Sequence, residues 1–246
     1  MMKQKYKIAL LGYGRMGKMV EAALLGMGHV VSVTIDNEQE WTEKYDFFRN
    51  SDVAIEFSTP ETAIGNFYHC FEAGIPLVAG TTGWYKQLPE ILNKARQHSA
   101  SFVYGSNFSV GANLFLMLNK IAAELMNNQY QYEVHIEETH HIHKKDAPSG
   151  TAITTAEMIM GQLKRKTEWT MSPNPEPGQI QIIAHRQGDT TGIHQVTYES
   201  PEDTIQIIHN AHDRTGFAHG AVKAALWLVN NHGIYEFKDI FPQLLK

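Results

Sequence analysis

Three histidines and two lysines fall close together at His140, His141, His143, Lys144 and Lys145, and an Asp-Ala-Pro-Ser-Gly-Thr turn follows at 146–151. An imidazole donates or accepts a proton near neutrality, and a lysine brings a full positive charge to a carboxylate, a developing anion or a leaving group. This is the chemistry of a site that holds an anion and moves a proton. Ser149, Gly150 and Thr151 place hydroxyls and backbone N–H groups at the start of a helical run, where a carboxylate can be held. The same three residues also suit a plain helix cap. A metal reading is weaker. His140 and His141 are adjacent, and together with His143, His135 and Glu137 they match no zinc spacing, so no metal is expected.

The second chemical signature is near the N-terminus. Lys7 to Leu11 reads as a buried parallel strand, followed at once by Gly12, Tyr13, Gly14, Arg15, Met16 and Gly17 and then by a helical run. Val30 to Ile35 is a second strand, ending at Asp36. Strand, glycine turn, helix, strand and acid is the order of a dinucleotide-binding βαβ unit, in which glycines let the pyrophosphate approach backbone N–H groups. Asp36 sits where an acid accepts hydrogen bonds from the adenosine ribose. It favours NADH over NADPH, because a 2'-phosphate would meet like charge. Arg15 is placed to reach a phosphate or stack on adenine, or else to be a solvated residue at the helix start.

Three further strand ends carry small polar residues. Phe57 and Ser58 follow one strand, Gly80, Thr81 and Thr82 the next, and Gly105, Ser106, Asn107 and Phe108 the third. Ligands bind at such ends in open parallel sheets, so these loops are expected to line the nicotinamide side. Phe108 is suited to packing on nicotinamide or to a domain-junction core. Arg214, at the start of the last long helix, is suited to contacting cofactor or holding the junction.

The elements that must position these groups give an α/β protein. A Rossmann-like parallel-sheet domain spans 1–110. A second, α+β domain with a mixed, mostly open sheet spans 111–211. A C-terminal helix and tail, 212–246, return to the first domain. The second domain opens with a long helix, Gly111 to Met126, whose leucines and methionines read as core. Residues 130–138 alternate in polarity as a strand. Several strands then run in series with no helix between them, including Ile180 to His185, Gly192 to Glu199 and Thr204 to Asn210, which points to a mixed or antiparallel sheet. His185 and His194 either face a ligand or sit on a sheet surface, and the surface reading is the stronger. Gly233 to Phe237 and Ile240 to Leu245 read as a short tail.

Composition excludes several classes. The formal net charge of −5 argues against a nucleic-acid or anionic-membrane surface. The single cysteine, Cys70, leaves no intramolecular disulfide or thiol-rich metal site, and its apolar helical setting marks it as core. The N-terminus passes from Lys3, Lys5 and Lys7 straight into a strand, and no stretch reaches the roughly 18 apolar residues of a membrane span. A soluble, cytoplasmic protein is the expectation.

The run from Glu137 to Thr151 resembles the signature of the dihydrodipicolinate reductase family, now called 4-hydroxy-tetrahydrodipicolinate reductases, of the diaminopimelate and lysine pathway. The resemblance extends through Gly12 to Gly17, Phe57 to Pro60, Gly80 to Trp84, Asn107 to Gly111 and the helix around Ala221 to Leu228, and so covers nearly the whole chain. It implies that His140 is the acid/base residue and Lys144 the proton donor. It implies that His141, Lys144, Ser149, Gly150 and Thr151 grip a small dicarboxylate, and that the glycine loop, Gly80 to Thr82 and Gly105 to Phe108 hold NADH or NADPH. It further implies a homotetramer, and hydride delivery to C4 of a cyclic imine dicarboxylate, with water lost from a 4-hydroxy precursor. Two departures stand out: the glycine loop is one residue shorter than in many relatives, and Ile142 occupies a place often basic. The competing readings are a dehydrogenase of another small amino or semialdehyde acid, and a dinucleotide-sensing protein without catalysis.

Overall fold

Residues 4–245 are described by a computed structural model; Lys3, the first of the lysines noted above, lies outside them. In chain order the elements begin β1 (Lys7–Leu11), α1 (Arg15–Gly26), β2 (Val30–Ile35), α2 (Glu38–Phe48), β3 (Val53–Glu56), α3 (Pro60–Ala73), β4 (Leu77–Ala79), α4 (Leu88–Gln97) and β5 (Phe102–Tyr104). They continue with α5 (Val110–Met126), β6 (Glu133–His140), α6 (Gly150–Gln162), β7 (Glu168–Thr170), β8 (Gln179–Arg186), β9 (Gly192–Glu199) and β10 (Thr204–Ala211). The chain closes with α7 (Thr215–Leu228), β11 (Ile234–Glu236) and α8 (Phe237–Ile240). Two compact units result: residues up to Val110 together with those from Arg214 onward, and Gly111–Asp213.

The first unit holds a six-stranded sheet in the order β11-β5-β4-β3-β1-β2, parallel throughout. Ile8 to Leu11 and Val53 to Glu56 are buried along their whole length, as strands covered on both faces by helices must be. Local chemistry sets the helix limits. Asn37 caps α2 by accepting the Glu40 N–H (3.1 Å). Thr59 and Thr62 form a reciprocal capping box on α3, Pro60 occupies its first turn, and Gly74 ends it at φ +68°, a left-handed conformation that glycine adopts without steric cost. Cys70 is buried and free.

Two features of this unit were not legible beforehand. Helix α2 buries only Trp41 and Phe48, too few apolar positions to print a helical period. The C-terminal stretch read as a tail supplies β11, a sixth strand paired parallel to β5; at three residues it is too short to show an alternation.

The second unit holds the expected mixed, open sheet, in the order β10-β9-β6-β8-β7. Strand β6 runs parallel to β8 and antiparallel to β9. Val134, Ile136, Val196 and Tyr198 face a core completed by Phe115, Ala152, Ala156 and Ile159 from α5 and α6. Helix α5 corrects the reading that its leucines are core. Its buried stripe is Ala112, Asn113, Phe115, Asn119 and Ala123, whereas Leu118 is 55% and Leu125 70% exposed, with Leu114 and Ile121 on the same outer side. Both stripes have helical spacing, so periodicity alone did not choose between them. Small side chains and Asn119, which donates to the Phe115 carbonyl (2.8 Å), face inward. Among the described residues, no helix is long and apolar enough to cross a membrane.

Candidate active site

In the first unit the strand order reverses at β1 and β3, the switch point where open α/β sheets bind ligands. Gly12 stands there at φ +88°, and a Cβ on it would lie 2.3 Å from the Phe57 carbonyl oxygen. A Cβ on Gly17 would lie 2.3 Å from the Gly12 oxygen. Two of the three loop glycines are therefore required by close backbone approach. Gly14 has open space around its Cα and caps α1, with Arg15 exposed and Met16 half-buried beside it. The Tyr13 N–H donates to Asp36 Oδ1 (2.7 Å), and the Asp36 N–H donates to Glu40 Oε2 (2.8 Å). The glycine loop and the acid at the end of β2 are thus tied together.

Beside them is a cavity of about 210 Å³ lined by Gly12, Asp36, Glu38, Trp41, Ser58 and Glu61, among others. Three of its lining side chains are acidic and none is lysine or arginine. A dinucleotide fits this donor set at its adenosine end, where backbone glycines meet the phosphate side and carboxylates the ribose side.

Glu56, unremarked in the sequence, joins two of the predicted cofactor loops. It is fully buried. Its Oε1 accepts the Ser58 N–H (2.8 Å), the Ser58 hydroxyl and the Thr81 hydroxyl (2.9 Å). Burial pushes its carboxyl above the usual range against these hydrogen bonds. Phe57 packs against Gly80, where a Cβ would fall 2.1 Å from the ring. Thr82 and Ser106 are exposed and Asn107 half-buried. Gly105 abuts Phe237. Phe108 is 1% exposed and packs on Phe237 with ring centroids 4.4 Å apart, so its ring belongs to the core of this unit. Arg214 is exposed at the N-cap of α7.

The second unit gathers a buried cluster of titratable groups around β6. Glu138 and His140 lie two residues apart on β6 and so share its inward face. His140 Nδ1 is 3.1 Å from Glu138 Oε2. The other carboxylate oxygen accepts the Ser149 N–H (3.0 Å) and faces Arg186 (3.2 Å). The β6–β9 register sets Glu138 opposite His194, whose Nε2 is 3.1 Å from the Ser149 hydroxyl and 3.8 Å from Glu138 Oε2. Burial would raise the Glu138 pKa, but hydrogen bonds and charge from His140 and hydrogen bonds from Ser149 outweigh it and hold it at about 2. Burial, and then the neighbouring His140 charge, push the His194 imidazole down to about 4. His194 is thus a buried member of this cluster, correcting the expectation of a sheet-surface residue; His185 is half exposed.

Ser149 is fully engaged. Its hydroxyl also accepts the Ala152 N–H (3.2 Å) and caps α6. Gly150 and Thr151 stand at the first two helical positions, whose N–H groups have no partner within the helix. Lys144 Nζ donates to both carboxylate oxygens of Asp146 at 2.9 Å, which lowers the Asp146 pKa. Arg186 donates in turn to the Asp146 carbonyl, linking the lysine loop to Glu138. His141 is half-buried, and Ile142 and His143 are exposed. The structure therefore brings His140 and Ser149 together through Glu138 and His194, and pairs Lys144 with Asp146. Glu138, Asp146 and Arg186 carry no role in the sequence reading, and His194 is placed there on a sheet surface. The two-residue spacing of Glu138 and His140 was the one local signal available.

Glu138, His140 and His194 each offer one ligand atom within 4.8 Å of the others, a set that shares only His140 with the His140, His141 and His143 run. Arg186 and the Ser149 N–H occupy one oxygen of this carboxylate, and the other faces both histidines.

Comparison with known proteins supplies the context. Residues 6–108 match the family model of the N-terminus of dihydrodipicolinate reductase, and residues 111–241 that of its C-terminus. A 4-hydroxy-tetrahydrodipicolinate reductase of Christiangramia forsetii is 42% identical over 239 residues, covering 97% of this chain and 99% of the relative. One from Rickettsia bellii is 33% identical over 217 residues, covering 87% and 85%. A dipicolinate-bound dihydrodipicolinate reductase from Paenisporosarcina sp. TG-14 superposes with TM-score 0.77 at 20% identity, over 96% of this chain and all of that one. A myo-inositol dehydrogenase from Corynebacterium glutamicum reaches TM-score 0.56 at 14% identity, over 98% and 94%. At these identities the two structures speak for the fold alone.

Proposed function

The chain belongs to the dihydrodipicolinate reductase family, and from that premise we propose that it uses NAD(P)H to reduce the cyclic imine dicarboxylate derived from 4-hydroxy-tetrahydrodipicolinate, giving tetrahydrodipicolinate for diaminopimelate and lysine synthesis. The observation that carries the reading is the buried His140–Glu138 pair at the end of β6, joined by Ser149 to the N-terminus of α6. One end of this cluster handles a proton and the other presents backbone donors to a carboxylate.

NAD(P)H, held by the glycine loop and the Ser58 and Thr81 loops, would supply the hydride that C4 of the ring receives. The protein's own groups do the rest. Lys144 and His140 supply the proton that matches the negative charge arriving at the ring nitrogen. The N–H groups of Gly150 and Thr151, with His141, hold the carboxylates and orient the ring. Lys144 reaches substrate by exchanging the Asp146 carboxylate for that of the ligand. Ser149, with its hydrogen bonds already committed, serves this turn by fixing it.

The glycine loop, the Ser58 and Thr81 loops tied to Glu56, and residues Gly105 to Asn107 form the cofactor side of the reading. Asp36, Glu38 and Glu61 around the adenosine cavity favour NADH, since a 2'-phosphate there meets three carboxylates. A homotetramer working in the cytoplasm completes the reading, on the family resemblance.

The test is oxidation of NADH and NADPH measured side by side with enzymatically generated substrate. Turnover with both and a lower KM for NADH is expected. Dinucleotide binding without substrate-dependent oxidation would instead support a sensor. Equal KM values would remove the role given to Asp36.

A further inference from the structure

We propose that Glu138 is the positioning residue for His140, fixing the proton on Nδ1 so that Nε2 is the nitrogen that exchanges protons with substrate. The inference rests on the reading of His140 as the acid/base group. It adds a residue, a tautomer and a direction to that reading.

The geometry is specific. Glu138 is fully buried and faces His140 Nδ1 at 3.1 Å through Oε2. Neither of these two atoms has any other hydrogen-bond partner: they face each other within hydrogen-bond distance, short of full alignment. An ionised carboxylate only accepts, so the imidazole nitrogen turned toward it carries hydrogen. In the neutral ring that leaves the lone pair on Nε2. The Nε2 edge is turned toward Gly192, where a Cβ would lie 3.1 Å from Nε2 and 3.3 Å from Cδ2. The glycine keeps a side chain out of the space beside this end of the ring.

The groups around Glu138 keep it in the accepting form. Strand β8 contributes Arg186, at 3.2 Å from the second oxygen. The start of α6 contributes the Ser149 N–H at 3.0 Å. Strand β9 contributes His194, with its ring 5.1 Å from that of His140 and nearly perpendicular. Behind it, β10 contributes His209, with its ring 6.5 Å from His194. From the loop, the Lys144 charge is felt at His194, and Asp146 pairs with that lysine. His194 lies farther from the carboxylate, at 3.8 Å, and spends its Nε2 on Ser149. It is therefore a weaker competitor for Oε2 than His140.

One carboxylate thereby sets two things at once: the direction of the proton-handling ring and the position of the turn at Ser149. At metal sites, partners that orient an imidazole from behind contribute a factor of roughly 10 to 100 to affinity or activity, and an effect of the same order is expected for this ring.

The experiment compares Glu138→Gln, Glu138→Asp and His140→Gln for kcat, KM and NADH binding, and reads the imidazole nitrogens of the unmodified protein by NMR after 15N-histidine labelling. Glu138→Gln is expected to lower kcat by roughly 10- to 100-fold, with the NADH Kd unchanged, and Glu138→Asp to recover part of the loss. His140 of the unmodified protein is expected to show Nδ1–H with an unprotonated Nε2. Full turnover in His140→Gln overturns the acid/base reading and this inference with it. An impaired His140→Gln beside a fully active, folded Glu138→Gln overturns the inference alone, as does an Nε2–H tautomer in the unmodified protein. If Glu138→Gln does not fold, the tautomer decides.

Discussion

The carboxylate of Glu138 accepts the backbone N–H of Ser149 at 3.0 Å, coupling the strand that ends in His140 to the turn that opens α6. Ser149 answers with a hydroxyl that reaches His194 at 3.1 Å and caps the helix through Ala152. The groups proposed to handle a proton and those proposed to hold a carboxylate, which look separate in the sequence, are therefore joined through Glu138 and Ser149.

Ser149→Ala should cost stability before it costs chemistry. The substitution removes the cap acceptor for Ala152 and the partner of His194, and keeps the N–H that Glu138 uses. A loss of about 1–2 kcal/mol is expected in urea unfolding, and Ser149→Thr, which keeps the hydroxyl, should restore most of it. An unchanged midpoint in the alanine variant would mean the cap contributes nothing.

Acid should destabilise the protein in two stages. The His194 pKa lies at about 4 in the folded protein against 6.5 for a free imidazole, so the unfolded chain takes up this proton first and stability falls as pH drops from about 6.5 to 4. The difference corresponds to something on the order of 3 kcal/mol. The Glu138 pKa lies at about 2 against 4.5; its contribution is complete above about 4.5 and is lost as pH falls toward 2. Urea unfolding at a series of pH values checks this, and His194→Gln should flatten the first stage. A stability that is level from pH 7 to 4 would contradict it.

Gly17→Ala should disable the nucleotide loop. Its Cβ would sit 2.3 Å from the Gly12 carbonyl oxygen and 3.2 Å from the Gly12 carbonyl carbon, backbone atoms that cannot swing aside as a side chain could. An NADH Kd raised by tenfold or more and a stability loss of about 1–3 kcal/mol are expected. Retention of parental NADH affinity in a fluorescence titration would show that the turn tolerates a widening the geometry forbids.

Leu125→Ala and Phe115→Ala should differ sharply although both lie on α5. Phe115 is buried against the second core and its truncation should cost about 3–5 kcal/mol. Leu125 is 70% exposed and its truncation should stay within about 0.5 kcal/mol in the isolated chain. Comparable losses from both, at a protein concentration low enough to exclude self-association, would reverse the orientation of the helix.

How much was legible depended on the range of the signal. The two-unit plan, the parallel first sheet and the mixed second sheet were readable because strand and helix periods and turn residues are printed over a few neighbouring positions. Helix α2 and strand β11 were not, because one buries two side chains and the other has three residues. The leucines of α5 misled for a different reason: two apolar stripes share one helix, and the choice between them is made by what packs against it. Within the site, Asp146 was visible and unassigned, while His194 was judged by its strand alone.

The sequence by itself determined the glycine turn with its acid at the end of β2, the cluster of histidine and lysine after β6, and the capped start of α6. Each of these is fixed by backbone geometry within a handful of residues. Only the tertiary structure decided that Glu138 is the hub. Its partners Ser149 and Arg186 stand 11 and 48 residues away along the chain, and His194 stands 45 residues beyond Ser149. Cross-strand register places Glu138 opposite His194 and His140 opposite Arg186. A carboxylate enclosed by the fold must find its donors there, and which donors it finds is a property of strand order that no local pattern encodes.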